Sequence, residues 1–453
     1  MENTRKKLQS DLFARVESCL SRYCLPSRPR RIFVGFSGGL DSSALLHLAA
    51  RICAGSAYEL CAVHVHHGLS PNADQWAAFA SQFAKSLGVE CKVVRVEVTQ
   101  RAELGPEAAA REARYAVFEQ LHCDVLLLAQ HLDDQAETVL LNLLRGSGVR
   151  GLAAMPECRF LSSGTQLLRP LLGTSRAELL AYAQAHGLQW VEDESNSDQA
   201  FDRNFLRHSI LPQINKAFPG ASAALARSAA HFAEAGALLT ELASSDLHDC
   251  VEEEAFNLVV ASTCLSDGRL RNVLRYWLGC SGVVPDTRAF DELLRMMREA
   301  RPDAQPVWAW RDRVVRRYRN KLYLTSTTIQ IGSPVAFEWQ RGTETIIPNR
   351  MGRLGWSKAI EGFGIAERAL AGRLELRPRA GGEALRLYPN GPTRSLKHLY
   401  QEAGVPPWLR ESIPILWIDG RIAAVPGRWI AEEFLEPGGW QVSWYSGVLS
   451  ADE

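Results

Sequence analysis

Ser37-Gly38-Gly39-Leu40-Asp41-Ser42 follows directly on the apolar run Ile32-Phe33-Val34-Gly35-Phe36. A strand that runs into two glycines and then a helix leaves several backbone N–H groups unpaired around a concave turn. Such groups bind phosphate, because they offer donors together with the positive end of the helix dipole. A Gly-Lys-Ser/Thr ending, which would bring a lysine to the β- and γ-phosphates, is absent. Asp41 stands there instead. It is a poor direct partner for phosphate but a good ligand for a Mg²⁺ that bridges to it. The plainer alternative is a strand-to-helix turn, with glycines for positive φ and Asp41 or Ser42 as cap.

A second constellation is His131-Leu132-Asp133-Asp134-Gln135-Ala136-Glu137-Thr138. On a helix His131, Asp134 and Glu137 recur at i, i+3 and i+6, and Asp133 and Glu137 are i, i+4 neighbours. Acids cap a first turn well, but this many exceed what capping requires. They suit a Mg²⁺ held on a triphosphate, or a cationic co-substrate. Arg111 and Arg114 share one face of a helix opened by Pro106. Arg203 and Arg207 lie one turn apart, after the turn-rich Asp193-Glu194-Ser195-Asn196-Ser197-Asp198. A solvated helix face is the bland account of these arginines.

Alternating elements position these segments. Strand-like runs at Ile32–Phe36, Leu60–Val65, Cys91–Val98 and Asp124–Ala129 are interleaved with helices at about Asp41–Ile52, Ala73–Leu87, from Pro106, and Asp133–Arg145. This order implies a mostly parallel, doubly wound α/β sheet with helices on both faces. Ligands bind beyond the carboxyl ends of such strands. Ser37–Ser42, His66-His67-Gly68 and the His131–Thr138 segment all arrive at that rim.

A second unit begins near Phe218-Pro219-Gly220, with helical runs at Ala221–Leu247, Leu270–Leu278 and Phe290–Met297. Val307–Trp310 and Val314–Leu324 read as two strands turning at Arg311-Asp312-Arg313. From about Gly332 the chain is rich in Gly, Pro and Trp, with short alternating runs and a turn at Asp419-Gly420. The domains expected are 1–217, an α/β domain; 218–331, a helical domain with a basic hairpin; and 332–453, a small α+β domain.

Lys+Arg and Asp+Glu each number 51, so the formal net charge is zero. That balance argues against indiscriminate nucleic-acid binding, yet leaves room for a basic patch facing one partner. Arg311-Asp312-Arg313-Val314-Val315-Arg316-Arg317-Tyr318-Arg319-Asn320-Lys321 is the densest such stretch. Its candidate phosphate contacts are Arg313, Arg316, Arg317, Arg319 and Lys321; a charged edge that resists strand pairing is the alternative. The ten cysteines include no Cys-x-x-Cys pair, so a reduced, cytoplasmic setting without structural zinc is expected. No apolar run of about 18 residues is present, and no membrane span is expected. No obligate protein partner is evident.

Together the segments resemble the N-type ATP pyrophosphatase (PP-loop) superfamily. Within it, the chain is similar to the tRNA(Ile)-lysidine synthase family. Ser37–Ser42, His66-His67-Gly68-Leu69, His131–Thr138 and Asp193–Arg207 carry the match over roughly the first 215 residues. Arg379-Ala380-Gly381-Gly382-Glu383, Lys397 and Pro406-Pro407-Trp408-Leu409-Arg410 match more loosely. Ser70 departs from the family, where a basic residue is commoner. The resemblance implies an adenine nucleotide alpha hydrolase-like fold, ATP as substrate with Mg²⁺, and downstream domains that handle tRNA. It implies ligation of free L-lysine to C2 of the wobble cytidine of a tRNA(Ile) with CAU anticodon, with release of AMP and PPi. ATP would be bound by Ser37, Gly38, Gly39, Asp41, Ser42, His66 and His131, with Asp41 also on the metal. Asp41, Asp134, Glu137, Arg111, Arg203 and Arg207 would act in catalysis, Asp134 and Glu137 being placed for the amine. A tRNA-thiolating relative would use the same loop, and the missing cysteine pair counts against it.

Overall fold

The computed structural model describes residues 2–23, 30–98, 106–194, 201–252, 255–301, 304–326, 333–341, 344–347 and 352–446. The chain divides into two compact units, 1–242 and 243–453.

The first unit holds a six-stranded sheet. Its strands are β1 (Arg31–Gly35), β2 (Glu59–His66), β3 (Glu90–Arg95), β4 (Val125–Leu127), β5 (Cys158–Phe160) and β6 (Gln166–Leu168), in spatial order β3-β2-β1-β4-β6-β5. All pairings are parallel except β5 with β6. β5 and β6 are three-residue strands that the sequence pattern does not reveal, because so short a run carries no period. In β1, Ile32 and Val34 pack into one core and Phe33 into another, as side chains of period two require. The helices of the first layer are α1 (Glu2–Tyr23), α2 (Leu40–Cys53) and α3 (Ala73–Ser86). They bury Leu12, Val16, Leu45, Leu48, Ala80 and Ala84 in that core. On the other face α4 (Pro106–Glu119) contributes Val117 and Phe118. Each large aliphatic chain so buried stabilises the fold by roughly 1.5–3 kcal/mol. The doubly wound arrangement puts the β1–α2 turn at the carboxyl edge of the sheet, next to α5 (Leu132–Leu144), which follows β4.

The described part of 218–331, expected as a helical domain with a basic hairpin, contains more strand than that. A five-stranded antiparallel sheet packs with helices at Asp267–Cys280 and Thr287–Glu299 around Phe256, Leu274, Trp277, Phe290 and Val315. The expected single strand Val314–Leu324 is a hairpin, Arg313–Tyr318 against Lys321–Ser326. Arg319 and Asn320 take φ of +47° and +67° there, the left-handed pair of a tight two-residue turn. Residues 335–446 form two further five-stranded antiparallel sheets, with short helices at Leu396–Glu402 and Pro407–Ser412. The small α+β region is as the sequence implies, including the reversal at Asp419-Gly420.

Candidate nucleotide and amine site

The loop after β1 is held from both sides. Gly38 adopts φ +88°, and a Cβ there would meet Val191 Cγ2 at 3.0 Å and Phe79 Cδ1 at 3.3 Å. Glycine alone fits that backbone and that space. Val191 N–H donates to Gly38 O at 2.9 Å. The Ser37 and Ser42 hydroxyls lie 3.0 Å apart, and Ser42 Oγ donates to Gly39 O at 3.0 Å. Gly39 is the N-cap of α2 and offers no side-chain cap, so the first-turn N–H groups face the cleft without one. Neither Asp41 nor Ser42 acts as the cap. The cleft encloses about 820 Å³ and is lined by this loop together with His66, His67, Arg111, Arg114, Asp134, Arg203 and Arg207.

Asp41 brings a donor atom that no neighbour uses. Its Oδ1 is buried without a hydrogen-bond partner, and its Oδ2 is 3.5 Å from His131 Nε2. A lone hard oxygen beside a phosphate-type loop fits Mg²⁺, which takes one or two carboxylates plus substrate oxygens. Among the described residues no group of three or more His, Cys, Asp or Glu could hold a metal by itself.

His131 is the N-cap of α5. Its Nδ1 accepts from Asp133 N–H at 3.2 Å, and Asp134 Oδ2 accepts from His131 N–H at 3.0 Å, a reciprocal capping box. Burial disfavours the imidazolium, but Asp41, Asp134 and Asp133 outweigh it and raise the His131 pKa above its ordinary value. Asp133 itself turns away from the cleft and accepts from Arg176 N–H at 2.8 Å, at the start of the helix Arg176–Ala185.

Glu137 is 1 % exposed. Burial raises its pKa, and Arg207 opposes the shift. Arg207 Nε donates to Glu137 Oε1 at 2.6 Å, and Nη2 donates to Glu137 Oε2 and to Asp134 Oδ1, each at 2.9 Å. The acids expected to receive an amine therefore hold this chain's own guanidinium. Arg203 Nη2 lies 3.4 Å from Thr138 Oγ1 on the same side. Arg203 sits in the short helix Asp202–Phe205 and Arg207 in the π-helical turn Leu206–Ile210. Ser195–Asp198, in the preceding segment, lie outside the described residues.

His66 Nε2 is engaged with Asp74 Oδ1 at 3.1 Å, and Arg95 holds the same oxygen at 2.7 Å. Its neighbour His67, placed at the rim by the sequence but given no role there, has both ring nitrogens buried without a partner. Burial pushes its pKa down to about 4, so it enters the cleft as a neutral imidazole. The signal was the doublet itself, and both of its histidines line the cleft. Arg111 lies over the Tyr115 ring, 5.0 Å from its centroid.

The basic hairpin requires a correction. Arg317 is buried, and its guanidinium donates to Met297 O at 2.7 Å, Ala300 O at 3.0 Å and Asn320 Oδ1 at 3.0 Å. It satisfies the last carbonyls of the helix Thr287–Glu299, which leaves no face for a phosphate. Arg316 stacks on Trp408 at 5.3 Å, Arg319 donates to Gln401 O at 2.8 Å, and Lys321 pairs with Glu252 at 2.7 Å. Arg313 is 3.8 Å from Asp312.

Family models agree with these features. A PP-loop domain matches residues 10–214, a TilS substrate binding domain residues 264–323, and a TilS substrate C-terminal domain residues 374–444. The tRNA(Ile)-lysidine synthase of Pseudomonas aeruginosa is 42% identical over 428 residues, covering 91% of this chain and 92% of that protein. That of Chromobacterium violaceum is 42% identical over 418 residues, covering 91% and 94%. Among solved structures, the U34-tRNA thiolase NcsA from Methanococcus maripaludis with its [4Fe-4S] cluster aligns with TM-score 0.45 and 20% identity. It covers 51% of this chain and 80% of that one. A parallel sheet with a Ser-Gly-Gly-x-Asp-Ser turn at its carboxyl edge defines a PP-loop, ATP-utilising enzyme. More narrowly, the chain belongs to the tRNA(Ile)-lysidine synthase family.

Proposed function

We propose that this chain joins free L-lysine to C2 of the wobble cytidine (position 34) of a tRNA(Ile) with CAU anticodon, through an adenylated cytidine, so that the codon read changes from AUG to AUA. The observation that carries the reading is the meeting of two unlike features in one cleft: an anion-binding loop, and the half-buried Asp134, which together with the buried Glu137 behind it already holds a cation, Arg207. A ligase that activates a base with ATP and then attacks it with an ammonium-derived amine needs both.

The residues divide the work by charge. The loop N–H groups and the hydroxyls of Ser37 and Ser42 receive the β,γ-pyrophosphate. Asp41 would hold Mg²⁺, whose charge stabilises departing PPi. A pyrimidine carbonyl is a weak nucleophile and its oxygen a poor leaving group, so adenylation of that oxygen must come first. Asp134 and Glu137 then bind the lysine ammonium, and one of them takes its proton, since a protonated amine cannot attack. Arg111 and Arg203 steady the α-phosphate or the amino-acid carboxylate. His66 and His131 border the nucleotide. For the tRNA, Arg313, Arg316, Arg319 and Lys321 supply the phosphate contacts, within a division of the chain into 1–217 for catalysis and 218–331 and 332–453 for tRNA.

No described helix is long and apolar enough to cross a membrane, and the described cysteines are free thiols; both suit a cytoplasmic enzyme. The test incubates the protein with ATP, Mg²⁺, labelled lysine and tRNA transcripts. Label entering only the isoleucine-type transcript, with AMP formed in equal amount, is the expected result. ATP conversion without label transfer would sink the reading.

A further inference from the structure

The cation held by the acid pair carries one inference further. Both oxygens of Glu137 and Oδ1 of Asp134 accept from Arg207, and the second oxygen of Asp134 accepts from His131 N–H. An incoming ammonium finds every carboxylate oxygen of its natural partners already accepting a hydrogen bond, and both acids already paired with one cation. Adding it beside Arg207 would put two like charges in contact.

Arg207 cannot simply leave, because Glu137 is almost wholly buried and a buried charge stripped of its partner is strongly disfavoured. Two events together permit departure: a second cation must reach Glu137, and the guanidinium must find another anion. The cleft that contains Arg207 also contains the Ser37–Ser42 loop, and a guanidinium is shaped for bidentate contact with phosphate. Its carrier suits such a move. Leu206–Ile210 is a single π-helical turn between two α-helical segments, a local register change of the kind found at functional sites.

We propose that Arg207 is a placeholder for the substrate ammonium, drawn onto nucleotide phosphate when ATP binds, so that the amine site opens only on the nucleotide-bound enzyme. Arg207 is then a positioning residue that sets the order of binding. The proposal rests on the reading above that Asp134 and Glu137 receive the amine. Its consequence is positive coupling between nucleotide and lysine, and the coupling is reciprocal.

The test measures L-lysine binding to the full chain by calorimetry, without nucleotide and with a non-hydrolysable ATP analogue plus Mg²⁺, in the absence of tRNA. The wild-type protein should bind lysine about tenfold tighter with the analogue, within the usual range of coupling. R207Q, checked for folding by circular dichroism, should bind lysine tightly without the analogue and gain less than about twofold from it. Equal wild-type affinity with and without the analogue overturns the proposal whatever the variant does. So does a folded R207Q that binds lysine no better than wild type in the nucleotide-free state. E137Q separates the two levels: unchanged lysine affinity in E137Q would place the amine elsewhere, and the underlying reading would fail even if coupling were present.

Discussion

His131 Nε2 stands 3.5 Å from Asp41 Oδ2, joining the first turn of the helix after β4 to the first turn of the helix after β1. The Asp133 N–H bond to Nδ1 needs a lone pair there, so the ring proton of the neutral tautomer sits on Nε2 and faces Asp41. One carboxylate oxygen is thereby oriented by a neighbouring loop, while the other stays unpaired and buried. A group held in this way is already aligned before any nucleotide arrives.

D41N keeps the size of the side chain and removes the charge. We expect tRNA-dependent PPi release to fall by at least about 10²-fold, with the unfolding midpoint nearly unchanged. A pyrophosphate-release assay with and without tRNA decides it; wild-type release in D41N would exclude Asp41 from the metal.

The carboxylate pair should act on the second half-reaction. D134N and E137Q are expected to raise the KM for lysine by roughly 10-fold or more, as loss of a charge-assisted contact would, while ATP–PPi exchange on tRNA changes less. Parallel loss of both activities would mean that the pair serves the nucleotide instead.

Arg317 and Arg313 lie four positions apart and should behave oppositely. R317A leaves Met297 O and Ala300 O without their donor and should cost roughly 2–3 kcal/mol of stability in chemical denaturation. R313A should weaken tRNA binding and lower its salt dependence by about one charge, with no loss of stability. Reversed outcomes would restore Arg317 as a phosphate contact.

Two half-buried histidines make stability depend on pH. His47 is lowered to about 4 by burial, with His186 and Arg51 adding to it, and burial lowers His67 to about 4 as well. A depressed pKa means that the unfolded chain takes up protons first. The stabilising contribution is full above the ordinary value of about 6.5 and is lost as pH falls through about 4. Thermal midpoints should therefore drop between pH 7 and pH 4.5, and more gently in H47Q/H67Q than in wild type. Equal slopes would show that other groups dominate.

Sequence alone was enough for the parallel α/β unit, the loop Ser37–Ser42 and the acids of the helix after β4, because each rests on local pattern: apolar runs, glycine pairs, helical spacing. The small strands β5 and β6 escaped it, being too short for any period to show. Within the hairpin charge counting also misjudged Arg317, since whether it meets solvent or the end of a helix depends on which way one strand residue faces after packing. The partner of Glu137 was equally hidden. Glu137 and Arg207 are 70 residues apart, and only the folded chain, by closing that separation, decides that a buried acid must be matched by a cation and which cation it is.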